Sequence, residues 1–328
     1  MNKKIATILL ICTAFYFSAC QKNIDVFVPD AGSSNGLDTT WTASIAATAP
    51  VLSLQSNLVL LNESAAKDSF ETNTNTAIVT ASNGLQVTIP PHSCVNSNGQ
   101  FVTGKIFIET RLIRSKGDMV QLNKPTSSNG RLLVSGGELF ISLRKDTQLI
   151  SIAPGAKIYV KYADAATNQA MKLFFGDESD PAQFNWVPNT STDTLSVGSQ
   201  NYEMAISHLR WINCDYFYDT ANITRTAVAA VLPNNYTNAN TSSFVVFKEI
   251  RSVMGMYADV PERRFLSSKL PNGKTATVVV LSKQGNDYFS GKESITIGLN
   301  TTPGVIQKVN ITPIKKSLAD IKAYLATL

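Results

Sequence analysis

The sequence has 328 residues, enough for two domains of ordinary size. Charged residues make up 16%, below the usual quarter, and 29 Lys and Arg against 24 Asp and Glu leave a net charge of +5. This small excess excludes the strongly basic balance of a nucleic-acid-binding protein. Abundant Asn, Thr and Ser are typical of an exported, β-rich protein.

Residues 1–19 have the layout of a secretory signal peptide. Two lysines precede an apolar run from Ile5 to Phe17. The run is shorter than the roughly 20 residues that a membrane-spanning helix needs. It ends in small residues that are followed directly by Cys20, in the order FSAC.

The segment FSAC resembles the lipobox of bacterial lipoprotein precursors, with Phe17 where the family prefers Leu. The resemblance implies cleavage before Cys20 and attachment of lipid to that residue. Buried acyl chains contribute about 0.8 kcal/mol per methylene, so two or three chains hold a protein at a bilayer. We therefore expect Cys20 to anchor the chain to the outer membrane, on either its periplasmic or its surface face. The alternative is a cleaved signal that leaves Cys20 as an ordinary thiol.

The next segments show no sustained periodicity. Residues 20–50 are small and polar, which predicts a flexible tether between the anchor and the folded body. Residues 51–76 are interpreted as a linker or a first strand.

Alternation of apolar and polar residues begins near residue 76 and predicts half-buried strands. It is seen in GLQVTIP, GKIFIETRLI, GELFISLRK and AKIYVKYAD. The pairs Asn83-Gly84, Asn129-Gly130 and Gly136-Gly137 tolerate positive φ and predict tight turns between the runs. We interpret residues 77–207 as an antiparallel β-sandwich domain.

The stretch NGLQVTIPPHSCVNSNGQFVTGKIFIE resembles the opening of the ZU-type β-sandwich domain of ankyrins and netrin receptors. Ile89-Pro90-Pro91 matches the point at which a strand of that family ends. The pattern from there to LRWINCDYF is similar to that of Bacteroidota surface lipoproteins with no assigned function. The eukaryotic domain mediates protein contacts, so the resemblance implies an interaction module, although fold does not identify a partner.

A second set of strand-like runs predicts a second β-sandwich-like domain over residues 208–328. The chain closes with KSLADIKAYLATL, where Ser317 and Asp320 resemble a capping box and Ile321 and Leu325 share one helical face. We predict an all-β protein with two antiparallel β-sandwich-like domains after a signal peptide and a flexible tether. This short C-terminal helix is the one helix that the pattern of the mature chain supports.

Two cysteines remain in the predicted mature body, Cys94 and Cys214. An oxidising compartment permits a disulfide between them, and two separate buried thiols are the alternative.

Four aromatic residues flank the predicted domain junction: Trp186, Trp211, Tyr216 and Tyr218. Sugar-binding surfaces use exposed rings beside Asn and Asp side chains, so these residues are the candidate glycan- or partner-binding site. The alternative is packing in the core or between domains.

No metal, cofactor or catalytic site is predicted. The two histidines, His92 and His208, are far apart in the chain and lack the spacing of metal ligands. Ser64-x-x-Lys67 and Ser142-x-x-Lys145 match a penicillin-binding signature, but that signature requires a helix N-terminus.

We therefore expect a non-enzymatic lipoprotein that is held at the outer membrane through lipid on Cys20. It would act as a binding or structural module with a protein or glycan partner. A glycan-binding accessory lipoprotein and an envelope hydrolase are the alternatives, and a pocket gathering His208 and Asp215 beside a serine would favour the hydrolase.

Overall fold

Strands make up 51% of the structure and helices 10%, which confirms the predicted all-β fold. The computed structural model describes residues 39–44, 46–72, 74–179, 184–218, 223–299, 301–302 and 304–328.

The strands fall into three sheets. In chain order, the first eleven are β1 (Ala65–Thr72), β2 (Ala77–Thr80), β3 (Gln86–Ile89), β4 (Cys94–Val95), β5 (Gly104–Ile113), β6 (Ser127–Ser128), β7 (Arg131–Lys145), β8 (Gln148–Ile152), β9 (Ile158–Ala163), β10 (Lys172–Asp177) and β11 (Asn185–Pro188). The others are β12 (Thr194–Val197), β13 (Asn201–Ile206), β14 (Arg210–Phe217), β15 (Arg225–Val231), β16 (Thr241–Phe247), β17 (Val253–Asp259), β18 (Arg264–Pro271), β19 (Thr275–Gln284), β20 (Asp287–Thr296), β21 (Gln307–Asn310) and β22 (Ile314–Lys316).

Two of the sheets form a sandwich. The larger sheet has the order β1-β5-β7-β14-β10-β11, with β4, β6 and β8 attached beside this path, and the smaller sheet has the order β12-β13-β9-β3-β2. Alternating apolar residues of both sheets share one core cluster, including Ile108, Leu139 and Ile212 from the larger sheet and Val87 and Val160 from the smaller. The period-two pattern therefore marks the faces that meet in this sandwich.

The third sheet has the order β21-β15-β18-β17-β16-β19-β20-β22. Its ladders are antiparallel, except that β21 runs parallel to β15. Residues along much of the sheet, such as Val228, Val245, Val278 and Val309, share a separate apolar cluster. At one end of the sheet, β21 contributes Val309 to the same cluster as the central strands, so this cluster is the core of the second β region.

The strand β14 belongs to the larger sheet of the sandwich. It pairs with β7 through Leu139 and Ile212, and with β10 through Leu173 and Cys214. The predicted domain boundary between residues 207 and 208 is therefore wrong, because it separates β14 from both neighbours. All described residues fall within one compact unit.

The described part of the chain contains three helices: α1 (Ala49–Leu61), α2 (Lys116–Gln121) and α3 (Leu318–Leu325). They contact one another and cover an apolar cluster between the larger sheet and the third sheet. The predicted capping box of α3 is confirmed, since Ser317 and Asp320 each bond the backbone N–H of the other. Across the described ranges, no helix is both long and apolar enough to cross a membrane.

The expectation of a single helix was wrong, and α1 shows why. It buries Val51, Leu54 and Leu58, which are spaced for one helical face. Its exposed side also carries apolar residues, with Leu52 43% and Leu60 81% exposed. Because apolar residues lie on both sides, the segment shows no amphipathic contrast and was interpreted as a linker or strand. Within residues 51–76, the first-strand alternative is confirmed at β1 (Ala65–Thr72).

The described end of the predicted tether is also ordered against the third sheet. The ring of Trp41 lies 5.2 Å from that of Phe265. The backbone N–H of Thr42 donates to Asn238 Oδ1 at 3.0 Å, and Asn238 Nδ2 donates back to the carbonyl of Thr42 at 2.7 Å. The tether prediction is thus wrong from residue 41 onward, because the tryptophan ring packs against a phenylalanine. Residues 20–38 lie outside the described residues.

The turn predictions are confirmed at two sites and wrong at a third. Asn83-Gly84 lies between β2 and β3, where Gly84 has a φ of 87° and donates its N–H to the carbonyl of Ala81 at 2.9 Å. Asn129 and Gly130 have φ of 48° and 72° and connect β6 to β7. Gly136 and Gly137 instead lie within β7, opposite a register shift in β14. A Cβ at Gly137 would stand 3.1 Å from the Tyr162 hydroxyl, so glycine here admits a neighbouring side chain rather than reversing the chain.

Candidate functional site

Cys20, the predicted lipid anchor, lies outside the described residues, as does the predicted signal peptide. Lipidation of Cys20 stays a prediction.

The two tryptophans of the candidate glycan- or partner-binding site lie in the core. Trp186 is 0% and Trp211 7% exposed, and both belong to the cluster between the larger sheet and the third sheet. Tyr216 and Tyr218 are half-buried. A buried ring offers no free face to a sugar, so the predicted role is wrong for Trp186 and Trp211. Packing their large apolar surface stabilises the interior instead.

The polar edge of Trp211 is satisfied by a network. Its Nε1 donates to Glu178 Oε1 at 3.0 Å. Lys124 Nζ lies 3.8 Å from the Phe184 ring centroid and 4.9 Å from that of Trp211. Burial lowers the pKa of Lys124 to about 8, while the nearby Glu178 acts in the opposite direction. These contacts hold the loop after α2 against β14.

Cys94 and Cys214 are both free and buried, so the candidate disulfide is not formed. They lie in the sandwich core, Cys94 on β4 and Cys214 on β14. Burial raises the pKa of both thiols. The alternative interpretation, two small buried thiols, describes their state.

Ser207, His208 and Asp193 form a group with the composition of a hydrolase triad. His208 Nδ1 lies 2.9 Å from Asp193 Oδ2 and 3.2 Å from Ser207 Oγ. A triad binds the carboxylate and the hydroxyl through opposite ring nitrogens, whereas one nitrogen faces both here. Ser207 also donates its backbone N–H and its hydroxyl to Asp193. The group therefore joins the start of β12 to the end of β13, and Asp215 lies elsewhere, on β14.

The Ser-x-x-Lys matches do not open helices. Ser64 immediately precedes β1 and Ser142 lies within β7, so neither meets the requirement of the signature. Lys145 donates to the carbonyl of Thr103 at 2.7 Å. Within the described ranges, no group of three or more His, Cys, Asp or Glu side chains is placed to hold a metal ion.

Two buried acids lie on neighbouring strands of the larger sheet. Glu138 and Asp215 are each 0% exposed. Neither oxygen of Glu138 has a hydrogen-bond partner among the described residues, and one Asp215 oxygen also lacks one. The other Asp215 oxygen accepts from Asn213 Nδ2 at 2.7 Å. Burial raises the pKa of both carboxyls well above its usual range, so these groups affect the pH dependence of stability.

A groove with a volume of about 780 Å³ lies along the third sheet. It opens where β17 and β18 separate, since they pair only through residues 257–259 and 264–266. Beyond that point, Thr126 takes the place of β18 beside β17 and exchanges hydrogen bonds of 2.8 Å with Val253. The volume lies within the range of about 300–1,000 Å³ that is usual for small-molecule sites.

The described residues that line the groove carry no charged side chain. About half of them bear hydroxyl or amide groups, and the others are apolar or aromatic. Tyr257 stands at the mouth and is 52% exposed. Residues 42–44 and 46–47 form one wall, so the ordered end of the predicted tether helps to build the groove.

Two serines of the lining have hydroxyl groups with little hydrogen bonding. Ser267, on β18, is 2% exposed, and its hydroxyl has no partner. Ser243, on β16, contacts only the sulfur of Met256, at 3.1 Å, and a thioether is a weak acceptor. An unsatisfied buried polar group costs about 1–3 kcal/mol, so a hydrogen-bond partner for the Ser267 hydroxyl would offset this cost. Sequence reasoning missed both serines because isolated serines in strands form no motif.

Comparison of the chain with protein-family models, curated proteins and solved structures found no significant match. The resemblances to lipoproteins and to ZU-type domains therefore stay predictions.

Proposed function

We propose that this chain is a non-enzymatic binding module of the cell envelope, tethered to the outer membrane through lipid on Cys20. The groove along the third sheet is the observation that carries the binding role. It has the size of a ligand site, and its described lining offers hydrogen bonds and apolar contacts but no carboxylate, imidazole or amine for acid–base chemistry.

The arrangement of the ordered segment supports the same proposal. Trp41 and Thr42 hold the chain against the third sheet directly before the groove wall. Residues 20–38 connect this point to the proposed anchor and reach at most about 70 Å when extended. The proposed anchor would therefore keep the third sheet within about that distance of the membrane surface.

The anchor is tested by fractionation of cells that produce the full precursor or its Cys20→Ala variant. We expect the unaltered protein to stay with the membrane after a high-salt wash, and the variant to be released. The intact mass of the unaltered protein should include acyl chains. Retention of the variant after the salt wash would contradict the anchor.

The binding role is tested with the mature chain labelled with ¹³C at the methionine methyl groups. Met254 and Met256 line the groove, whereas Met171 and Met204 lie in the sandwich core. Adding an unlabelled envelope extract should shift the first pair of signals and leave the second pair unchanged.

The matched variant is Gly255→Val, which adds a side chain to the groove wall. The nearest atom to a Cβ at Gly255 is in Pro125, at an ordinary 3.7 Å, so the first atom of the new side chain meets no clash. We expect the extract to leave the variant's Met254 and Met256 signals unshifted. If the extract does not shift these signals in the unaltered protein, the proposed binding role is wrong.

A further inference from the structure

We infer that the groove along the third sheet binds an uncharged oligosaccharide. This inference rests on the proposed function and specifies the ligand class of the same site. It follows from the charge of the lining, from the mixture of hydroxyl and apolar groups, and from the unused serine hydroxyls.

The absence of charge in the described lining decides against ionic ligands. An ion that enters the groove loses part of its hydration, and this loss is offset only by an opposite charge or by several hydrogen bonds to it. The described lining holds Ser, Thr, Asn and Gln but no ionisable acid or base apart from the phenol of Tyr257. Phosphorylated, carboxylated and cationic molecules are therefore disfavoured.

The mixture of polar and apolar groups matches a sugar more closely than a lipid. A sugar ring presents hydroxyl groups around its edge and C–H groups on its faces. Tyr257 is 52% exposed and offers its ring to a sugar face, while Met254, Met256 and Phe265, which project from the other face of the sheet, are at most 8% exposed. An acyl chain would leave the many hydroxyl and amide groups of the lining unpaired.

Ser267 and Ser243 supply the matching hydrogen bonds. Ser243 shares the face of Met254 and Met256, and Ser267 shares that of Phe265 two residues earlier on β18, whereas Tyr257 projects from the other face of β17. Their hydroxyl groups lack a strong acceptor within the protein. A ligand with many hydroxyl groups provides the acceptors and donors that these side chains lack.

An added peptide strand fits the groove less well. Strand addition requires free backbone groups at a sheet edge. On β17, the N–H and C=O groups of Val253 already bond Thr126, and Pro125 lies beside Gly255. The loop after α2 thus occupies the place where a peptide strand would begin.

The test is titration calorimetry of the mature chain with hexamers that differ in charge. N-acetylglucosamine, glucose and mannose hexamers are uncharged, the glucosamine hexamer is cationic and the galacturonic acid hexamer is anionic. We expect at least one uncharged hexamer to bind at least tenfold more tightly than either charged one. The N-acetylglucosamine and glucosamine hexamers share one backbone and form the matched pair.

Two substitutions locate the binding. Tyr257→Ala should weaken it at least tenfold, while Tyr159→Ala, on β9 and equally exposed at 53%, should leave it unchanged. Ser267→Ala should weaken it about threefold or more without lowering the unfolding midpoint, because the hydroxyl has no partner in the protein. Ser69→Ala, on β1, is its control.

Three results of the titrations would overturn the inference: tighter binding of a charged hexamer, equal effects of Tyr257→Ala and Tyr159→Ala, or no binding of any uncharged hexamer. If no hexamer binds while the envelope extract still shifts Met254 and Met256, the ligand class is wrong and the proposed binding role stands. A chain without residues 20–38 is the last control. If the deletion moves the Met254 and Met256 signals in the direction opposite to the shift expected from a ligand, residues 20–38 themselves occupy the groove. That result also overturns the inference.

Discussion

Gly117 lies against the last turn of the C-terminal helix, where a Cβ would stand 1.8 Å from the carbonyl oxygen of Leu325. This contact between α2 and α3 requires glycine, since no rotation of a methyl group relieves a clash with backbone. It fixes the end of the chain over the cluster between the larger sheet and the third sheet.

Gly117→Ala should lower the free energy of unfolding by about 1–3 kcal/mol or more, as overpacking does. If Gly117 made no such contact, alanine would stabilise the helix by up to about 1 kcal/mol. The sign of the change in unfolding free energy therefore distinguishes the two cases. Urea unfolding measures it. The control is Gly255→Ala, where the nearest atom to the new Cβ is 3.7 Å away. Equal midpoints for the two variants would contradict the contact.

Glu138→Gln should stabilise the protein at neutral pH. Burial, with Asp215 as a further cause, raises the pKa of Glu138 in the folded state. Above the unfolded value of about 4.3, the unfolded chain loses this proton while the folded chain keeps it. The folded state then binds more protons, so stability falls as pH rises, by about 1.4 kcal/mol per pH unit for one group, until the folded pKa is passed.

The measurement is the unfolding free energy of the unaltered protein and of Glu138→Gln between pH 4 and pH 8. The stability difference should grow with pH, because glutamine does not titrate. Glu203→Gln is the control, since the Glu203 side chain is 51% exposed and pairs with Lys161 at the surface. A difference that stays constant over the whole pH range would exclude a raised pKa at Glu138.

Arg251 connects the third sheet to the sandwich. Its Nη1 donates to Asp164 Oδ2 at 3.0 Å and to the carbonyl of Gly136 at 3.2 Å. The Asp164 side chain is only 6% exposed, whereas that of Arg251 is 31% exposed, so solvent screens part of the interaction.

Arg251→Met should therefore cost about 1–3 kcal/mol of unfolding free energy, because it leaves a buried carboxylate without its cation. The double variant Arg251→Met, Asp164→Asn should recover part of this loss. Lys161→Met removes an exposed pair and should change stability by no more than about 0.5 kcal/mol. If the two single variants unfold at the same denaturant concentration, Arg251 contributes no more than a surface ion pair.

Cys94 and Cys214 should resist thiol reagents in the folded protein. Both are buried, and burial raises the pKa of each thiol, so little reactive thiolate forms near pH 8. In a Cys20→Ser chain without residues 1–19, labelling should be slow in buffer and should reach two thiols per chain in denaturant. One or no thiol in non-reducing denaturant would indicate oxidation, including the disulfide that the structure lacks.

Local pattern was sufficient to predict the strands and the faces that they bury. Alternation of Leu139, Ile141 and Leu143 marked the core face of β7, since successive side chains of a strand point to opposite sides. Asn129-Gly130 and the capping box at Ser317 were predicted for the same reason: the interactions that form them lie within a few residues.

Partners distant in the chain decided the rest. The pairing of β14 with β7 and β10 moved the domain boundary and placed Trp211 in the core. Ser267 became a candidate ligand contact only because β17 and β18 separate beside it. Periodicity shows whether a side chain is buried or exposed on its own strand. The groove is instead formed by chain segments that are more than 100 residues apart, between residues 42 and 268, and it exists only when these segments pack together.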